Sequence, residues 1–334
     1  MKHLRFLVAV LWLLSAASTA AASDGLGPLS VRHQGIAHLP HLWMMPRNGR
    51  ISEYCCGAFL GISWANHWGW DNDREPRYFV DAETAVLDVV GSFTIAKKCE
   101  VGLGVPVMWH GGGILDFPIT AFHQSFGLDQ SHRTMLPAQR EKVWIGSRED
   151  HVILLSESDP SPIPLNPWLS TSFGLLDLGP DKPSLCLTLA GSIPLGGSTY
   201  WRPTWAEPGI GTAFSWPLGR LTMHVNGSFV WIGDRRWAGA GLRQWVVYSL
   251  AGIEVRAGRL TFIAQGHFDT PIMEQQGDMG NPGYCVTAGL RYSPLKWLAI
   301  ELGGSENIFF FDATPDIVVY LGIRLLHPVR KPAG

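Results

Sequence analysis

The stretch "GRLTMHVNGSFVW", residues 219–231, alternates between polar and apolar side chains almost without interruption. Leu221 and Met223 are apolar, and the neighbouring Thr222 and His224 are polar. Because successive side chains of a β-strand point to opposite faces, this period of two predicts a strand with one apolar and one polar face. The question it raises is whether the apolar face packs in a protein core or faces lipid.

The same alternation recurs along the chain, over runs longer than most strands of soluble proteins. Strands in soluble proteins are usually about 5–6 residues long, whereas a tilted strand needs about 9–11 residues to cross a membrane. About twelve such segments lie between Ile51 and Leu325, within a range of roughly ten to fourteen, the least regular being 141–158 and 201–216, where prolines interrupt. The lengths favour membrane-crossing strands.

The connections between these segments differ in length. Short turn signals such as "PLG" at 217–219 and "RAG" at 256–258 alternate with longer polar stretches such as 269–282. Charged residues make up 16% of the chain, below the roughly 25% of soluble domains. We therefore expect an all-β fold, a transmembrane antiparallel up-and-down β-barrel of roughly twelve strands. The alternative is a soluble periplasmic β-sandwich.

The chain begins with the features of an export signal. A basic start precedes an apolar run and small residues, with an A-x-A site before Ser23. We expect a signal peptide at 1–22, a periplasmic or lumenal segment at 23–50, the barrel at 51–327 and a C-terminal tail at 328–334. The expected location is the outer membrane of a Gram-negative bacterium.

One stretch departs from the period of two. Over residues 116–126, Asp116 suits a helix start, and Ile119, Phe122 and Phe126 share one helical face. The spacing predicts a short amphipathic helix, either at the membrane interface or at one end of the barrel.

The five cysteines are Cys55, Cys56, Cys99, Cys186 and Cys285. Their irregular spacing matches neither a disulfide framework nor a zinc motif. Cys55 and Cys56 are neighbours, so a regular strand would point them to opposite faces. We interpret the cysteines as small apolar side chains on strands.

Three motifs carry a resemblance to a known family. They are "GPLSVRHQG" near the N-terminus, "FHQSFGLDQ" in the middle and "SENIFFFDATPD" before the last strand. Together they resemble a family of bacterial outer-membrane β-barrels, domain of unknown function 3187. The resemblance implies a barrel and no particular activity. The motif residues are His123, Gly127, Asp129, Arg133, Glu306, Asn307, Pro315 and Asp316.

The polar phase of the alternating strands predicts which side chains face the lumen. Charged groups are costly in lipid, so they should point inward. The predicted lumen-facing residues are Arg220, His224, Asn226, Arg259, His267, Arg291, Glu301 and Arg324. Their mixed signs favour a lumen braced by ion pairs over a strongly selective pore. Twelve strands lie between small filled barrels and wide porins, which predicts a narrow or plugged passage.

The expected function is a narrow channel, or an envelope protein that binds a small molecule or lipid. The expected partners are outer-membrane lipid, the barrel-insertion machinery and a small-molecule solute. The net charge of −2 argues against nucleic acid, and the motifs imply no cofactor and no metal. An alternative is a lipid-modifying hydrolase that uses His123 and a serine such as Ser125. It is disfavoured because helical residues two apart do not face each other and no G-x-S-x-G motif occurs.

Overall fold

The computed structural model describes residues 26–32, 35–51, 54–71, 78–96, 98–127, 141–146, 151–159, 161–196, 200–274, 276–309 and 313–328. Twelve long strands form one antiparallel sheet. They are β1 (Tyr54–Trp70), β2 (Tyr78–Ala96), β3 (Cys99–Gly111), β4 (Trp168–Asp177), β5 (Ser184–Ser192), β6 (Pro208–Leu218), β7 (Leu221–Trp231), β8 (Trp245–Ala257), β9 (Leu260–Asp269), β10 (Gly283–Leu295), β11 (Leu298–Phe309) and β12 (Ile317–Pro328).

Each strand pairs with the next along the chain, and the last strand pairs with the first. The closing seam joins β1 to β12 in antiparallel register from Tyr54↔Pro328 to Asn66↔Ile317. Closure pairs the sheet edges, which a membrane requires because lipid offers no hydrogen-bond partners to a strand edge. The predicted barrel and its strand number are therefore confirmed, and the sandwich alternative is excluded.

The two faces of the sheet carry different side chains. On β7, Val225 is 53% exposed and points away from the barrel, whereas the neighbouring His224 is 1% exposed and points inward. The same outward pattern holds for Leu302 on β11 and Val286 on β10. The apolar face of the alternation thus forms the outer surface of the barrel, where lipid covers it.

The two ends of the barrel differ in their connections. The turns β2–β3, β6–β7, β8–β9 and β10–β11 each contain two residues, at 97–98, 219–220, 258–259 and 296–297. The links β3–β4, β5–β6, β7–β8 and β9–β10 are much longer, and we call their side the long-loop end. In outer-membrane barrels the short turns face the periplasm. The N-terminal segment enters β1 at that short-turn end.

The long loops fold over their end of the barrel. Two short strands, Lys142–Gly146 and His151–Ser156, pair with each other as a hairpin. The first of them also pairs with the start of β2, from Tyr78 to Asp81. The irregular segment at 141–158 therefore contributes no barrel strand. The other irregular segment, 201–216, enters the barrel only from Pro208, as β6.

Tryptophans hold this loop layer together. The Trp201 and Trp237 rings meet edge to face, with centroids 5.7 Å apart. The Trp201 Nε1–H donates to the Leu154 carbonyl at 3.2 Å, and the Trp237 Nε1–H donates to the Tyr200 carbonyl at 2.7 Å. Both indoles bury their ring and satisfy their single donor, which fixes three loops relative to one another.

The predicted helix is confirmed as α1 (Asp116–Phe126), within the β3–β4 link. The Glu83 carboxylate of β2 accepts from the Leu115 N–H, and the Asn66 amide of β1 donates to Asp116 Oδ1 at 3.2 Å. These bonds tether the start of α1 to the long-loop end. Among the helices that the structure describes, none is long and apolar enough to cross a membrane.

The outward face of β7 provides a test of lipid exposure. We expect Val225→Arg to destabilise the refolded protein in lipid vesicles by about 2–4 kcal/mol, because it places a charge at mid-strand in the bilayer. Leu218→Arg, at the last residue of β6 beside a short turn, should cost about 0–1 kcal/mol. Urea unfolding in vesicles measures both. Equal costs for the two variants would contradict a membrane-spanning β7.

Candidate functional site

The N-terminal segment, described over residues 26–32 and 35–51, lies inside the barrel. It enters at the short-turn end, where the Arg291 guanidinium of β10 donates to the Gly27 carbonyl at 2.7 Å. The backbone of Leu29 then forms two hydrogen bonds with the side-chain amide of Gln265 on β9. The Leu29 N–H donates to Oε1 at 2.9 Å, and the Leu29 carbonyl accepts from Nε2 at 3.1 Å. Leu29 is fully buried, so this part of the segment fills the lumen.

Halfway along, an arginine anchors the segment to the opposite wall. Arg32 Nη1 lies 2.9 Å from Asp88 Oδ1 of β2, and both side chains are buried. The Arg32 N–H also donates to Ser63 Oγ of β1 at 3.3 Å. A buried charge pair of this kind costs desolvation free energy and is stable only as a pair, so Arg32 and Asp88 depend on each other.

The segment turns at the long-loop end. A tight turn begins at Gly35, whose carbonyl accepts from the Leu39 N–H at 3.1 Å. His41 Nδ1 lies 2.6 Å from Glu207 Oε1, just before β6, and the other oxygen of Glu207 accepts from the Leu42 N–H at 2.7 Å. The segment then runs back toward the short-turn end and enters β1.

On the way back the segment contacts the wall of β4, β6 and β7. The Arg47 N–H donates to Asn226 Oδ1 of β7 at 2.8 Å, and Arg47 Nη2 lies 3.1 Å from Glu100 of β3. Its Nη1 donates to Ser172 of β4. The Gly49 N–H donates to Ser215 Oγ of β6 at 2.8 Å. The segment is thus bonded to both halves of the barrel.

Gly49 sits where no side chain fits. A Cβ on this residue would lie 2.4 Å from the Ser184 carbonyl oxygen and 2.7 Å from the Ser215 nitrogen, both backbone atoms. Backbone atoms of a paired sheet cannot move aside cheaply. The absence of a side chain at Gly49 therefore sets how closely the returning segment packs on the wall.

Glu301 is the centre of the charge network at the short-turn half of the lumen. It is fully buried and accepts from Arg291 Nε at 2.7 Å, Arg324 Nε at 2.8 Å and the Tyr320 hydroxyl at 2.6 Å. Arg291 also bonds Glu254 of β8 at 2.9 Å. The network thus joins β8, β10, β11 and β12, which lie on one side of the barrel wall.

A chain of polar contacts on β6, β7 and β8 resembles a Ser-His-acid arrangement. Ser215 Oγ lies 2.7 Å from His224 Nδ1, and His224 Nε2 lies 3.5 Å from Glu254 Oε1. However, Ser215 is 2% exposed and its oxygen already accepts from Gly49. A nucleophile needs access to substrate, so we interpret this chain as a brace that holds the segment.

Six of the eight residues predicted to face the lumen have inward contacts. His224, Arg291, Glu301 and Arg324 belong to the charge network, and Asn226 binds the N-terminal segment. His267 accepts from Gln265 Nε2 at 2.8 Å.

Two of the eight do not face the lumen. Arg220 and Arg259 are exposed and lie in the two-residue turns β6–β7 and β8–β9. Each follows a glycine with positive φ, Gly219 at 67° and Gly258 at 65°. A left-handed residue interrupts the pleat, so the strand alternation no longer predicts the side on which the next side chain lies.

The family-motif residues that the structure describes lie at the long-loop end. Asn307 of β11 donates to Asp316 Oδ1 at 3.5 Å, and the Asp316 N–H donates to the Asn66 carbonyl of β1 at 2.9 Å. Glu306 is half-buried on β11 and Pro315 is buried before β12. These contacts brace the β11–β12 link against β1.

The remaining residues predicted from the sequence lie on α1 or outside the described ranges. Ser125 is exposed, and its hydroxyl donates to the Ala121 carbonyl at 2.7 Å. His123 lies on α1 and Gly127 follows the helix with φ of 68°. The His123 side chain, Asp129, Arg133, the proposed signal peptide at 1–22 and the tail from 329 lie outside the described residues.

A cavity of about 220 Å³ remains between the N-terminal segment and the barrel wall. Its lining extends from Tyr54, the first residue of β1 at the short-turn end, to Asp269, the last residue of β9 at the long-loop end. Apolar side chains contribute much of the wall, among them Trp43, Met44, Met45, Phe59, Trp168 and Phe268. The cavity runs alongside the segment.

The charged groups that line this cavity have partners. Arg47 pairs with Glu100 at 3.1 Å, Arg324 with Glu301 at 2.8 Å, and Arg50 with Asp177 at 3.2 Å. Among the residues that the structure describes, no group of three or more His, Cys, Asp or Glu side chains is arranged to hold a metal ion. The cavity is suited to a small molecule whose charge is low.

Sequence reasoning missed several residues of this site. Glu254 and Ser215 occupy the polar phase of alternating strands, so the same pattern that found His224 could have found them. Arg32 and Glu207 lie outside the barrel strands, where no period predicts the direction of a side chain.

The comparison with protein families identifies the group to which this chain is related. The model of the family "Protein of unknown function (DUF3187)" matches residues 5–155 and 226–326. The chain belongs to this family. The match agrees with the resemblance carried by the sequence motifs. No curated protein matches the chain significantly in sequence.

Solved outer-membrane barrels are similar to this member of the family in outline. The NanC porin is 9% identical over 81% of this chain and 98% of its own, with a TM-score of 0.45. A Pseudomonas aeruginosa FadL homologue is 10% identical over 92% and 99%, with a TM-score of 0.42. Escherichia coli outer membrane phospholipase A is 10% identical over 90% and 100%, with a TM-score of 0.36.

Because Glu301 is the centre of a buried charge network, we expect the free energy of unfolding to depend strongly on its side chain. We expect Glu301→Gln to destabilise the protein by about 3–5 kcal/mol, because it leaves the buried Arg291 and the half-buried Arg324 with one carboxylate fewer. Asp177→Asn, which removes a partly exposed partner of Arg50, should cost less than about 1 kcal/mol. Urea unfolding of both variants decides the matter. A loss for Glu301→Gln no greater than for Asp177→Asn would mean that the network adds little.

The close packing at Gly49 gives a second test in this region. Gly49→Ala should lift the returning segment from β6 and raise amide hydrogen exchange at residues 41–51, with little change in the strands. Gly266→Ala is the control, because a Cβ there meets nothing within 4 Å. Hydrogen exchange with mass spectrometry reads both variants. Unchanged exchange in Gly49→Ala would show that the segment is not seated as described.

Proposed function

We propose that the protein is an outer-membrane channel for small, neutral and partly apolar molecules, narrowed by its own N-terminal segment. The observation that carries the proposal is the cavity that follows this segment from one end of the barrel to the other. The segment and the charge network occupy the rest of the lumen. The passage beside them is therefore narrow.

The chemistry of the cavity supports the solute class. Aromatic and methionine side chains such as Trp43, Met44 and Trp168 present apolar surface. Methionine adapts its shape to different apolar partners. The lining arginines Arg47 and Arg324 are paired with carboxylates, so they offer little net charge to an ion. The free energy of desolvation is smaller for a neutral solute than for an ion that enters such a passage.

The size of the cavity limits the solute. Sites for drug-sized ligands are usually about 300–1,000 Å³, and this cavity of about 220 Å³ is smaller. The passage suits a molecule of one ring or a short chain, entering in single file. At the long-loop end the loops pack on one another, as in the contact between Trp201 and Trp237.

A blocking substitution tests the passage. Ala190 of β5 lines the cavity, and its neighbour Leu189 is 46% exposed on the outer face. Ala190→Trp should reduce uptake of neutral methyl glucoside, a molecule of one ring, into protein-containing liposomes to the rate of protein-free liposomes, whereas Leu189→Trp should leave uptake unchanged. Uptake of anionic glucose 1-phosphate by the wild type should be slower than that of the glucoside.

Two results would overturn the proposal. One is wild-type uptake no faster than that of protein-free liposomes, with correct insertion shown by a heat-modifiable shift on gels. The other is undiminished uptake through an inserted Ala190→Trp variant. Faster uptake of the phosphate than of the glucoside would keep the channel and replace the neutral solute by an anion.

A further inference from the structure

Helix α1 starts on the outer face of the barrel wall. Ser63 of β1 and Asp88 of β2 face the lumen, where both contact Arg32. The two strands pair without a register shift, and successive side chains point to opposite faces. Asn66 lies an odd number of positions from Ser63, and Glu83 an odd number from Asp88. Asn66 and Glu83, which are direct register partners, therefore point outward.

The start of α1 covers these two outward polar side chains. Asn66 and Glu83 are both buried, although they stand on the face that lipid covers elsewhere. The Glu83 carboxylate accepts from the Trp64 Nε1–H at 3.0 Å and from the Leu115 N–H, just before α1. The Asn66 amide donates to Asp116 Oδ1 at 3.2 Å. The start of α1 thus takes the place of lipid here and gives both side chains hydrogen-bond partners.

The attachment of α1 continues the lipid-facing surface of the barrel. On the outer face of β1, Leu60 and Ile62 are exposed, and Trp64 follows on the same face toward the long-loop end. Trp64 and Trp109 of β3 are both register partners of Ala85 on β2, so they lie at one level of the wall. Aromatic residues at the edge of the apolar band mark the membrane boundary in outer-membrane barrels. The helix therefore starts at this boundary.

The two sides of α1 have opposite exposure. Leu115 and Ile119 are buried, whereas Phe117 is 82% exposed and Ile114, in the turn before the helix, is 69% exposed. Helical residues two apart do not share a face, so Phe117 points away from the surface on which Ile119 packs. Apolar side chains that a helix presents at a membrane boundary are covered by acyl chains.

We propose that α1 is an interfacial helix whose Ile114 and Phe117 side chains insert among the acyl chains of the leaflet at the long-loop end. The contact is apolar, because α1 carries the acidic Asp116 and no lysine or arginine that could bind an anionic headgroup. It holds the start of the β3–β4 link at the membrane surface. This surface lies outside the lumen, so the lipid contact does not depend on the passage of solutes.

The test places a nitroxide label at position 117 of the full barrel, refolded in phosphatidylcholine vesicles. The partly exposed thiols are first removed by serine substitutions at Cys55, Cys56 and Cys99, and Phe117→Cys is then labelled. Oxygen concentrates in lipid, whereas a nickel chelate stays in water. We expect the label to collide with oxygen more often than with the chelate.

Two reference positions calibrate the label. Leu302→Cys, on the outer face of β11, reports lipid, and Ser158→Cys, in the exposed turn after the loop hairpin, reports water. A ratio of oxygen to chelate collisions at position 117 close to that at 302 supports the proposal. A ratio equal to that at 158 would overturn it and leave the exposed side of α1 to water or to a partner protein. A heat-modifiable gel shift shows that each labelled variant has folded.

A second readout needs no label. Phe117→Asp should raise amide hydrogen exchange over residues 116–121 in vesicles by more than about tenfold, because it replaces an inserted apolar side chain by a charge. Phe117→Leu, which stays apolar, is the matched control and should exchange like the wild type. Equal exchange in Phe117→Asp and the wild type would contradict insertion.

The lipid composition separates acyl chains from headgroups. Adding phosphatidylglycerol to the vesicles should leave the exchange of α1 unchanged, because the helix has no cationic side chain for the anionic headgroup. Protection of α1 that appears only with phosphatidylglycerol would overturn the apolar contact.

Discussion

Backbone hydrogen bonding at the seam between β1 and β12 is the constraint on which the rest of the structure depends. A sheet edge in lipid has no partner for its N–H and C=O groups, so the first and last strands must pair. With twelve strands the lumen is wider than that of small barrels filled by their own side chains. Here the N-terminal segment fills the part of the lumen that the side chains of the strands leave open. Polar groups that lipid would penalise turn inward and find their partners on this segment or on one another.

Much of the fold could be predicted from the sequence because a strand between lipid and a polar lumen alternates apolar and polar residues. The alternation over 219–231 identified β7, and similar runs identified most of the barrel. The hairpin over 142–156 carries a similar apolar content, yet it packs in the loop layer. Apolar side chains are favoured both where other loops cover a strand and where lipid covers it, so composition cannot distinguish a loop strand from a barrel strand.

The site was less predictable, for a related reason. The polar phase of their strands pointed to Glu301 and Arg291, which the structure places in one ion pair. Arg220 and Arg259 lie in turns, because a left-handed glycine ends the alternation one residue earlier. Arg47 was missed because its segment has no regular period and takes its direction from partners on distant strands. The free thiols of Cys55 and Cys56 were expected on opposite faces, yet their Sγ atoms lie 3.7 Å apart, because the strand register shifts between Tyr54 and Cys56.

The long separation in sequence between the N-terminal segment and its seat bears on how the protein assembles. Leu29 lies 236 residues from Gln265, and Ser30 lies 294 residues from Arg324. The part of the chain that is made first thus binds surfaces that are made last. Until β9 to β12 take their places, the segment has no lumen to enter. The N-terminal segment therefore enters the lumen late in assembly. Until it does so, the lumen of a newly closed barrel is open.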